Sequence, residues 1–205
     1  PPFEIEGSCV DCGESLQAAY DHEMVFVHCT ACRRRHTMGM FPPSGVTGRT
    51  GQEVLAAFDQ WLRFAFELSV RGVCFQCRGR TTGSFVPEAR DVPAAVPDFD
   101  AADVPLPGPG IIYQCEQCDV WDFGTAGQHL LSHPDVVAVH REHGIDLSAI
   151  PHWELDWVVG TEQTTVLAED PLRVRVTIPF QGEELRVTLG ERFAVLDVDR
   201  VPTDD

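Results

Sequence analysis

The last third of the chain alternates apolar and polar residues with a period of two. In residues 172–178, for example, Leu, Val, Val and Ile alternate with Arg, Arg and Thr, and Gly182 and Gly190 mark turns. This alternation is typical of strands that bury one face of a sheet. It predicts an antiparallel meander of about five strands. The predicted strands are residues 153–159, 164–167, 172–179, 185–189 and 193–198.

A long helix is predicted over residues 52–71, where apolar residues recur every three or four positions. Thr50 and Glu53 have the spacing of a capping box, and Gly72 is a good helix-stopping residue. Apolar residues cover two faces of this helix, which is more than one small neighbouring unit can bury. We expect it to be either a core helix between two units or part of a dimer interface.

A shorter helix is predicted from Pro134 to Gly144, with Ser132 or His133 as its cap, and we expect it to cover the apolar face of the meander. Half of the eight histidines lie on or beside it: His129, His133, His140 and His143. They are either ordinary polar residues or the components of a third metal site or a pH switch. The segment holds no His-Glu-x-x-His arrangement.

The cysteines carry the clearest chemistry in the sequence. All eight occur in four Cys-x-x-Cys pairs: Cys9 and Cys12, Cys29 and Cys32, Cys74 and Cys77, Cys115 and Cys118. Two such turns can place four thiolates around one ion and complete a tetrahedral zinc shell. We therefore predict two structural zinc ions, each held by four cysteines. A shell of four sulfurs leaves no position for a catalytic water.

The spacing between the pairs is typical of zinc ribbons. Sixteen residues separate Cys12 from Cys29, and the stretch 24–28 between them alternates as a strand does. Thirty-seven residues separate Cys77 from Cys115, which is longer than usual. Residues 87–110 account for the excess, because their six prolines indicate an extended, poorly ordered insertion at the tip of a hairpin. Residues 81–86 and 111–114 are the predicted strands of that hairpin.

Disulfides and redox-active cysteine pairs are the alternatives. Disulfides suit secreted chains, and the first residues lack both the positive charge and the apolar run of a signal peptide. A thioredoxin-like site needs one Cys-x-x-Cys pair within an alternating α/β pattern, and this sequence has four pairs without that pattern. Zinc therefore remains the preferred interpretation.

Arginines directly follow two of the cysteine pairs: Arg33, Arg34 and Arg35 after one, Arg78 and Arg80 after another. A zinc ion with four thiolates carries a formal charge of about −2, so the favoured role of these arginines is to compensate it. Nucleic-acid contact and plain solvent exposure are the alternatives. The sequence contains no catalytic motif with a nucleophile or phosphate-binding loop, so we predict no catalytic residues and no enzyme.

The charge of the chain is strongly negative. It has 32 Asp and Glu against 15 Lys and Arg, a net charge of −17, and all 15 basic residues are Arg. A surface of this kind stays soluble in molar salt, where screening shortens the reach of charge repulsion to roughly 3 Å. We expect the cytoplasm of an extreme halophile. A chain this acidic is a poor nucleic-acid clamp, and no stretch has the roughly 20 apolar residues of a membrane span.

These observations predict an α+β fold: two four-cysteine zinc-ribbon units linked by a long apolar helix, then a short helix and a C-terminal antiparallel β-meander. The predicted units are residues 1–48 for the first ribbon, 49–72 for the linking helix, 73–123 for the second ribbon with its insertion, and 124–205 for the helix and sheet.

The sequence resembles the C-terminal region of halophilic archaeal ArsR-like winged-helix transcription regulators. The resemblance lies in the blocks PPFEIEGSCVDCG at 1–13, FPPSGVTGRTGQEVLAAFDQWLR at 41–63, RGVCFQC at 71–77, LLSHPDVVAVHREHGIDL at 130–147, PHWEL at 151–155 and EDPLRVRVTI at 169–178. In that family a winged helix precedes this region, contacts DNA and dimerises. The chain lacks it and starts abruptly, without Met, as a fragment of a longer protein would.

The resemblance implies a zinc-binding regulatory or dimerisation domain. We expect a homodimer that binds DNA only through an N-terminal domain outside this chain and responds to an unidentified small-molecule or metal effector. The first alternative is a free-standing zinc-ribbon adaptor that binds another protein through the Arg/Thr sheet face or the proline-rich loop. The second is a ribbon that binds nucleic acid directly through residues 33–35.

Overall fold

The computed structural model of the chain describes residues 2–87, 109–160 and 162–203. Its strands are β1 (Pro2–Ser8), β2 (Ser15–Asp21), β3 (Met24–Cys29), β4 (Arg35–Met40), β5 (Thr81–Val86), β6 (Gly110–Cys115), β7 (Trp121–Thr125), β8 (Thr164–Glu169), β9 (Leu172–Phe180), β10 (Glu183–Leu189) and β11 (Val195–Pro202). Its α-helices are α1 (Pro43–Val46), α2 (Gly51–Val70), α3 (Ala126–His129), α4 (Pro134–Glu142) and α5 (Asp156–Val159). The proline-rich insertion predicted over residues 87–110 lies, for residues 88–108, outside the described residues.

The first sheet contains β1, β2, β3 and β4 in that order, and each strand is antiparallel to its neighbour. The predicted strand at residues 24–28 is confirmed as β3, in which Val25, Val27 and Cys29 point into the core. The cysteine pairs occupy the turns between β1 and β2 and between β3 and β4. Ser8 pairs with Ser15 and Leu16 pairs with Cys29, so both turns lie at the same end of the strands.

The second sheet has the order β5, β6, β7. The predicted hairpin is confirmed: β5 and β6 are antiparallel, with Thr81 opposite Cys115 and Val86 opposite Gly110. This register brings the start of β5, close behind the third cysteine pair, next to the end of β6, where the fourth pair begins. Val86 and Gly110, between which the extra residues lie in the sequence, are therefore at the end of the hairpin that is away from the cysteines.

Helix α2 connects the two sheets and starts with the predicted capping box. Thr50 Oγ1 accepts a hydrogen bond from Glu53 N at 3.4 Å, and the Glu53 carboxylate accepts one from Thr50 N at 2.8 Å. One face of the helix is buried in the core, with Phe58 fully enclosed. The predicted apolar character of the whole helix is not shown, because Gln52 and Gln60 are polar and exposed, although Phe64 is 69% exposed and Trp61 is 39% exposed.

The third sheet has the order β11, β10, β9, β8 and forms the predicted C-terminal meander with four strands. The prediction of a further strand at residues 153–159 is wrong. These residues form a 3-10 helix (His152–Glu154) and then α5. Trp157, Val158 and Val159 are all buried. A helical turn that is packed on several sides can bury three consecutive residues, whereas a strand with one solvent-exposed face buries only every second residue.

The predicted short helix is confirmed as α4, which ends just before Gly144. Val136 and Val139 are buried, and the ring of His140 packs against Phe180 of β9 at 4.8 Å between centroids. Helix α4 thus contacts the third sheet, as expected. In the part of the chain that the structure describes, no helix has the length and apolar character of a membrane span.

The largest apolar core joins the first sheet, α2 and the third sheet. Fully buried members include Val25 of β3, Phe58 of α2 and Val176 of β9. Cys9 and Cys29 belong to the same core, so the first cysteine cluster is built into the centre of the fold. The second sheet packs on a smaller cluster that consists of Phe66, Ile111, Tyr113 and Phe193.

Candidate metal centres

The structure brings together the four cysteines of the first two pairs, which we call site 1: Cys9, Cys12, Cys29 and Cys32. The Sγ atoms of Cys9 and Cys32 are 3.7 Å apart, and those of Cys12 and Cys29 are 3.5 Å apart. A tetrahedral zinc ion with bonds of about 2.3 Å to sulfur places its ligands about 3.8 Å from one another. The four sulfurs of site 1 therefore fit one zinc ion.

The remaining cysteines form the second cluster, site 2: Cys74, Cys77, Cys115 and Cys118. The Sγ atoms of Cys74 and Cys118 are 3.8 Å apart, and those of Cys77 and Cys115 are 3.4 Å apart. These distances again match the edge of a tetrahedral zinc–sulfur shell. All eight predicted ligands thus lie in two groups of four, each with the geometry for one metal ion.

The four Cys-x-x-Cys turns share one backbone conformation. The residue directly after each pair has a left-handed backbone, with φ of 76° at Gly13, 66° at Arg33, 65° at Arg78 and 58° at Asp119. The first cysteine of each pair donates its N–H to the carbonyl five residues later, at 2.8 to 2.9 Å. Gly13 and Asp119 are residue types that tolerate this conformation, whereas Arg33 and Arg78 gave no such indication in the sequence.

Backbone N–H groups point at the buried sulfurs. Cys29 Sγ accepts from the N–H groups of Ala31 and Cys32 at 3.4 Å, and Cys115 Sγ accepts from that of Gln117 at 3.3 Å. Burial raises the pKa of the Cys29 thiol, but these N–H donors more than offset it and bring the pKa down to about 7. The turns are therefore already arranged to stabilise thiolates, the form that binds metal.

Cys12, an exposed cysteine of site 1, has a thiol pKa above the usual range. The N–H of Glu14 lowers the pKa of the Cys12 thiol, but contact with the Cys29 sulfur, burial and the other two thiols raise it overall to about 12. Four thiolates in contact repel one another, so a divalent cation is required to compensate their charge. An all-sulfur tetrahedral donor set is compatible with zinc, and it fills the coordination shell. Each site is thus suited to a structural ion.

One family model covers nearly all of the described architecture. Residues 6–195 match the family model of a domain of unknown function, DUF7351. The chain belongs to the DUF7351 family. The matched range contains all eight cysteines and reaches the start of β11. No curated protein and no solved structure matches the chain.

Site 1 of this DUF7351 domain has close polar neighbours that the sequence did not indicate. His36 is buried, and its Nε2 lies 3.4 Å from Cys9 Sγ. Burial, together with the charge of Arg34, lowers the pKa of His36 to about 4, so the ring is neutral at neutral pH. A neutral ring with its proton on Nε2 donates a hydrogen bond to the thiolate and orients it.

The three arginines after Cys32 have separate environments. Arg34 is largely buried, donates to the Asp11 carboxylate in the other turn of site 1, and donates to the carbonyl of Val159. The Arg35 guanidinium lies over the Phe26 ring, 5.5 Å from its centroid, and Arg33 is exposed. Arg34 and Arg35 are thus engaged by protein groups and do not form one free basic patch with Arg33.

Site 2 has a different neighbour at the equivalent position. Gly79 stands where site 1 has Arg34, and a Cβ there would lie 2.8 Å from Gln117 Cγ and 3.2 Å from Cys77 Sγ. Gly79 therefore allows the two turns of site 2 to approach each other closely. Arg78 donates to the carbonyl of Gln76 within its own turn.

Three of the four histidines around α4 have a close polar partner in the protein. His129 Nδ1 lies 3.2 Å from Tyr113 Oη, His140 Nδ1 lies 2.7 Å from the Val136 carbonyl, and His143 Nε2 lies 2.8 Å from Glu183 Oε1. Among the residues described here, only sites 1 and 2 bring three or more metal-ligating side chains within reach of one ion. The histidines around α4 therefore form no third metal site among the described residues.

Proposed function

We propose that this domain is the zinc-containing regulatory and dimerisation part of a haloarchaeal transcription regulator, and that both zinc ions are structural. The observation that carries the proposal is the pair of closed four-cysteine clusters, each formed by two turns of identical backbone geometry. Sulfur atoms at these distances fill the shell of a zinc ion and leave no position for a substrate. Such ions organise a fold and perform no chemistry.

The assignment to a transcription regulator rests on the resemblance described above, and the charges support a division of labour within such a protein. The chain carries −17, and two zinc–thiolate sites add about −4. Arg34 and Arg35, the most basic stretch, are occupied by Asp11, Val159 and Phe26. DNA contact is thus expected from a winged helix outside these residues.

The exposed side of α2 supports a homodimer. Trp61 and Phe64 are one turn apart, and the partly buried Leu68 continues the same stripe. Phe75 packs edge-on against Trp61, with 5.9 Å between the ring centroids. Large apolar side chains that cluster on a surface are typical of interfaces. We infer that this surface, called the α2 stripe, meets the same surface of a second chain.

A protein-interaction adaptor is the second candidate, and the edges of the third sheet favour it. Leu167 on β8 is 45% exposed and Leu196 on β11 is 51% exposed, so both edge strands present apolar side chains. An edge strand can pair with an extended segment of another protein. In this alternative the zinc sites have the same structural role.

Light scattering in molar KCl distinguishes the two candidates. We expect the chain to be a dimer and Phe64→Glu to be a monomer that retains both zinc ions. Gln52→Glu is the matched control, because it adds the same charge to an exposed position of the same helix, about three turns before Phe64. A zinc-loaded monomer at every concentration would favour the adaptor. Under this proposal, DNA binding is expected only from a chain that also contains a winged helix.

A further inference from the structure

Site 1 is connected to the segment before the third sheet by a set of buried polar contacts. His36 reaches Cys9, and the next residue, Thr37, has its Oγ1 3.1 Å from His152 Nε2. The other ring nitrogen of His152, Nδ1, lies 2.7 Å from Asp59 Oδ1. Thr37, Asp59 and His152 are 6%, 4% and 2% exposed, so the contacts run through the interior.

Asp59 completes its hydrogen bonds on the same segment. Its Oδ1 also accepts the backbone N–H of His152 at 3.0 Å, and its Oδ2 accepts Arg63 Nε at 2.8 Å. Arg63 then donates to the carbonyls of Leu147, at 3.1 Å, and Ile150. Burial raises the pKa of the Asp59 carboxyl, but hydrogen bonding to His152 more than offsets this, so the net pKa is below the usual range and the group is ionised.

Arg34 forms a second connection between the same two regions. It binds Asp11 between the first two cysteines and the carbonyl of Val159 at the end of α5. Site 1 therefore holds residues 147–159 at two places, through Thr37 and through Arg34. We call this set of contacts the site 1 relay.

Three side chains of the relay are buried, those of Thr37, Asp59 and His152. Displacing one of them leaves an unpaired donor or acceptor in the interior, which is strongly unfavourable. The turn of Cys29 and Cys32 leads directly into β4, which carries Arg34 at its entry and Thr37 within it. The turn that would hold the metal is thus continuous with the segment that carries both side chains.

Site 2 lacks an equivalent connection in the described residues. Gly79 stands at the position of Arg34, and the Ser69 hydroxyl, 3.2 Å from Asp122 Oδ2, joins α2 to β7 of the second sheet. The two metal sites are thus alike in their ligands and different in what they hold.

We propose that the metal at site 1 controls the packing of residues 147–160, and through α5 the position of the third sheet, while the metal at site 2 does not. The inference rests on metal binding at site 1, which is part of the proposed function. It assigns the two ions separate roles: site 2 stabilises its own ribbon, and site 1 transmits loss or exchange of its metal to the C-terminal sheet.

Hydrogen exchange of the full chain tests the forward direction. We compare Cys12→Ser/Cys32→Ser with the matched pair Cys77→Ser/Cys118→Ser at site 2. The probes are the amides of His152, bonded to Asp59, and of Val158 and Val159, bonded to the carbonyl of Leu155. We expect exchange at these amides to be about tenfold faster in the site 1 variant and unchanged in the site 2 variant. Equal exchange in the two variants would overturn the proposal.

The reverse direction needs no cysteine change, so it remains decisive if those variants fail to fold. Coupling is reciprocal, so Thr37→Val is expected to weaken metal binding at site 1 by about fivefold. Ser69→Ala is the control, because it also removes a buried hydroxyl, one that contacts the Ala65 carbonyl and Asp122. The readout is the loss of each ¹¹³Cd resonance during chelator titration, with the site 1 resonance identified as the one absent from Cys12→Ser/Cys32→Ser.

Each outcome bears either on the relay alone or on the proposed function as well. Two bound metal ions with unchanged affinity at site 1 in Thr37→Val would refute the relay and leave the structural-zinc proposal standing. A wild-type chain that binds no metal would refute the proposed function, and the relay with it. Selective weakening of site 1 in Thr37→Val, with no effect of Ser69→Ala on that site, would support the relay.

Discussion

The imidazole of His36 lies with Nε2 3.4 Å from the Sγ of Cys9, and both side chains are buried. This contact gives site 1 a side-chain donor in addition to the backbone N–H groups of its turns. Groups that orient a metal ligand from the second layer contribute strongly to affinity. We therefore expect His36 to strengthen zinc binding at site 1.

We predict that His36→Phe weakens zinc binding at site 1 by roughly 10- to 100-fold and leaves site 2 unchanged. Phenylalanine fills a similar volume but donates no hydrogen bond to Cys9 Sγ. Competition with a chromophoric chelator measures both affinities. His28→Phe is the control, since His28 lies opposite Arg35 in the same sheet and is only partly buried, whereas Val27 and Cys29 on either side of it are buried. Equal affinities in wild type and His36→Phe would contradict the prediction.

We predict that the free energy of unfolding of Asp122→Asn, relative to that of wild type, rises as the pH increases from 5.5 to about 7 and then levels off. Burial raises the pKa of Asp122 to about 7, although the Phe123 N–H and Ser69 hydroxyl partly offset it. The folded state thus holds a proton that the unfolded chain releases near pH 4, and wild-type stability falls as the pH rises toward 7. Asparagine does not titrate. Urea midpoints of the two proteins at each pH measure the difference.

The control for that experiment is Asp135→Asn, because Asp135 is exposed at the start of α4. Its difference from wild type is expected to stay constant across the same pH range. Using differences between proteins at each pH also removes the effect of pH on metal binding, which all three share. A difference for Asp122→Asn that does not grow with pH would contradict the burial of this carboxyl.

We predict that Gly127→Ala destabilises the protein by about 3 kcal/mol. A Cβ at Gly127 would lie 2.1 Å from the carbonyl oxygen of Trp157 and 2.9 Å from Val158 Cα, and backbone atoms of α5 have little freedom to move. In an open helical site the same substitution stabilises by roughly 0.5–1 kcal/mol, so the sign of the change is decisive. Urea unfolding measures it, and a stabilised variant would contradict the close packing of α3 on α5.

We predict that the melting temperature rises with KCl between 0.1 and 2 M. The screening length falls from about 10 Å to roughly 3 Å or less, which reduces repulsion within a chain of net charge −17. An uncharged osmolyte at equal osmolality is the control for general solvent effects. A melting temperature that responds equally to salt and to osmolyte would contradict adaptation to high salt.

Much of the architecture was predictable because its determinants are local. The capping pair at Thr50 and Glu53 defined the start of α2, and alternation defined β3, β9 and β10. The Cys-x-x-Cys spacing predicted both clusters, since two residues between cysteines is the geometric requirement of the turn. These features need no knowledge of what each element packs against.

The unpredicted features depend on contacts between distant parts of the chain. Residues 153–159 contain enough apolar side chains for a strand, but their burial on several sides of the core selects helical turns. The pairing of Asp59 with His152 joins residues 93 positions apart, and neither residue lies in a motif. Arg33, Arg34 and Arg35 are consecutive, yet the strand geometry sends them to different surroundings.

The most direct test of the central claim is the metal content of the purified chain, measured by native mass spectrometry alongside elemental analysis. We predict two zinc ions per chain in the wild type and one in Cys12→Ser/Cys32→Ser, with the fold lost when both ions are removed by a chelator. A chain that carries no zinc, or one that keeps its fold after complete chelation, would contradict the claim that two four-cysteine zinc sites organise this domain.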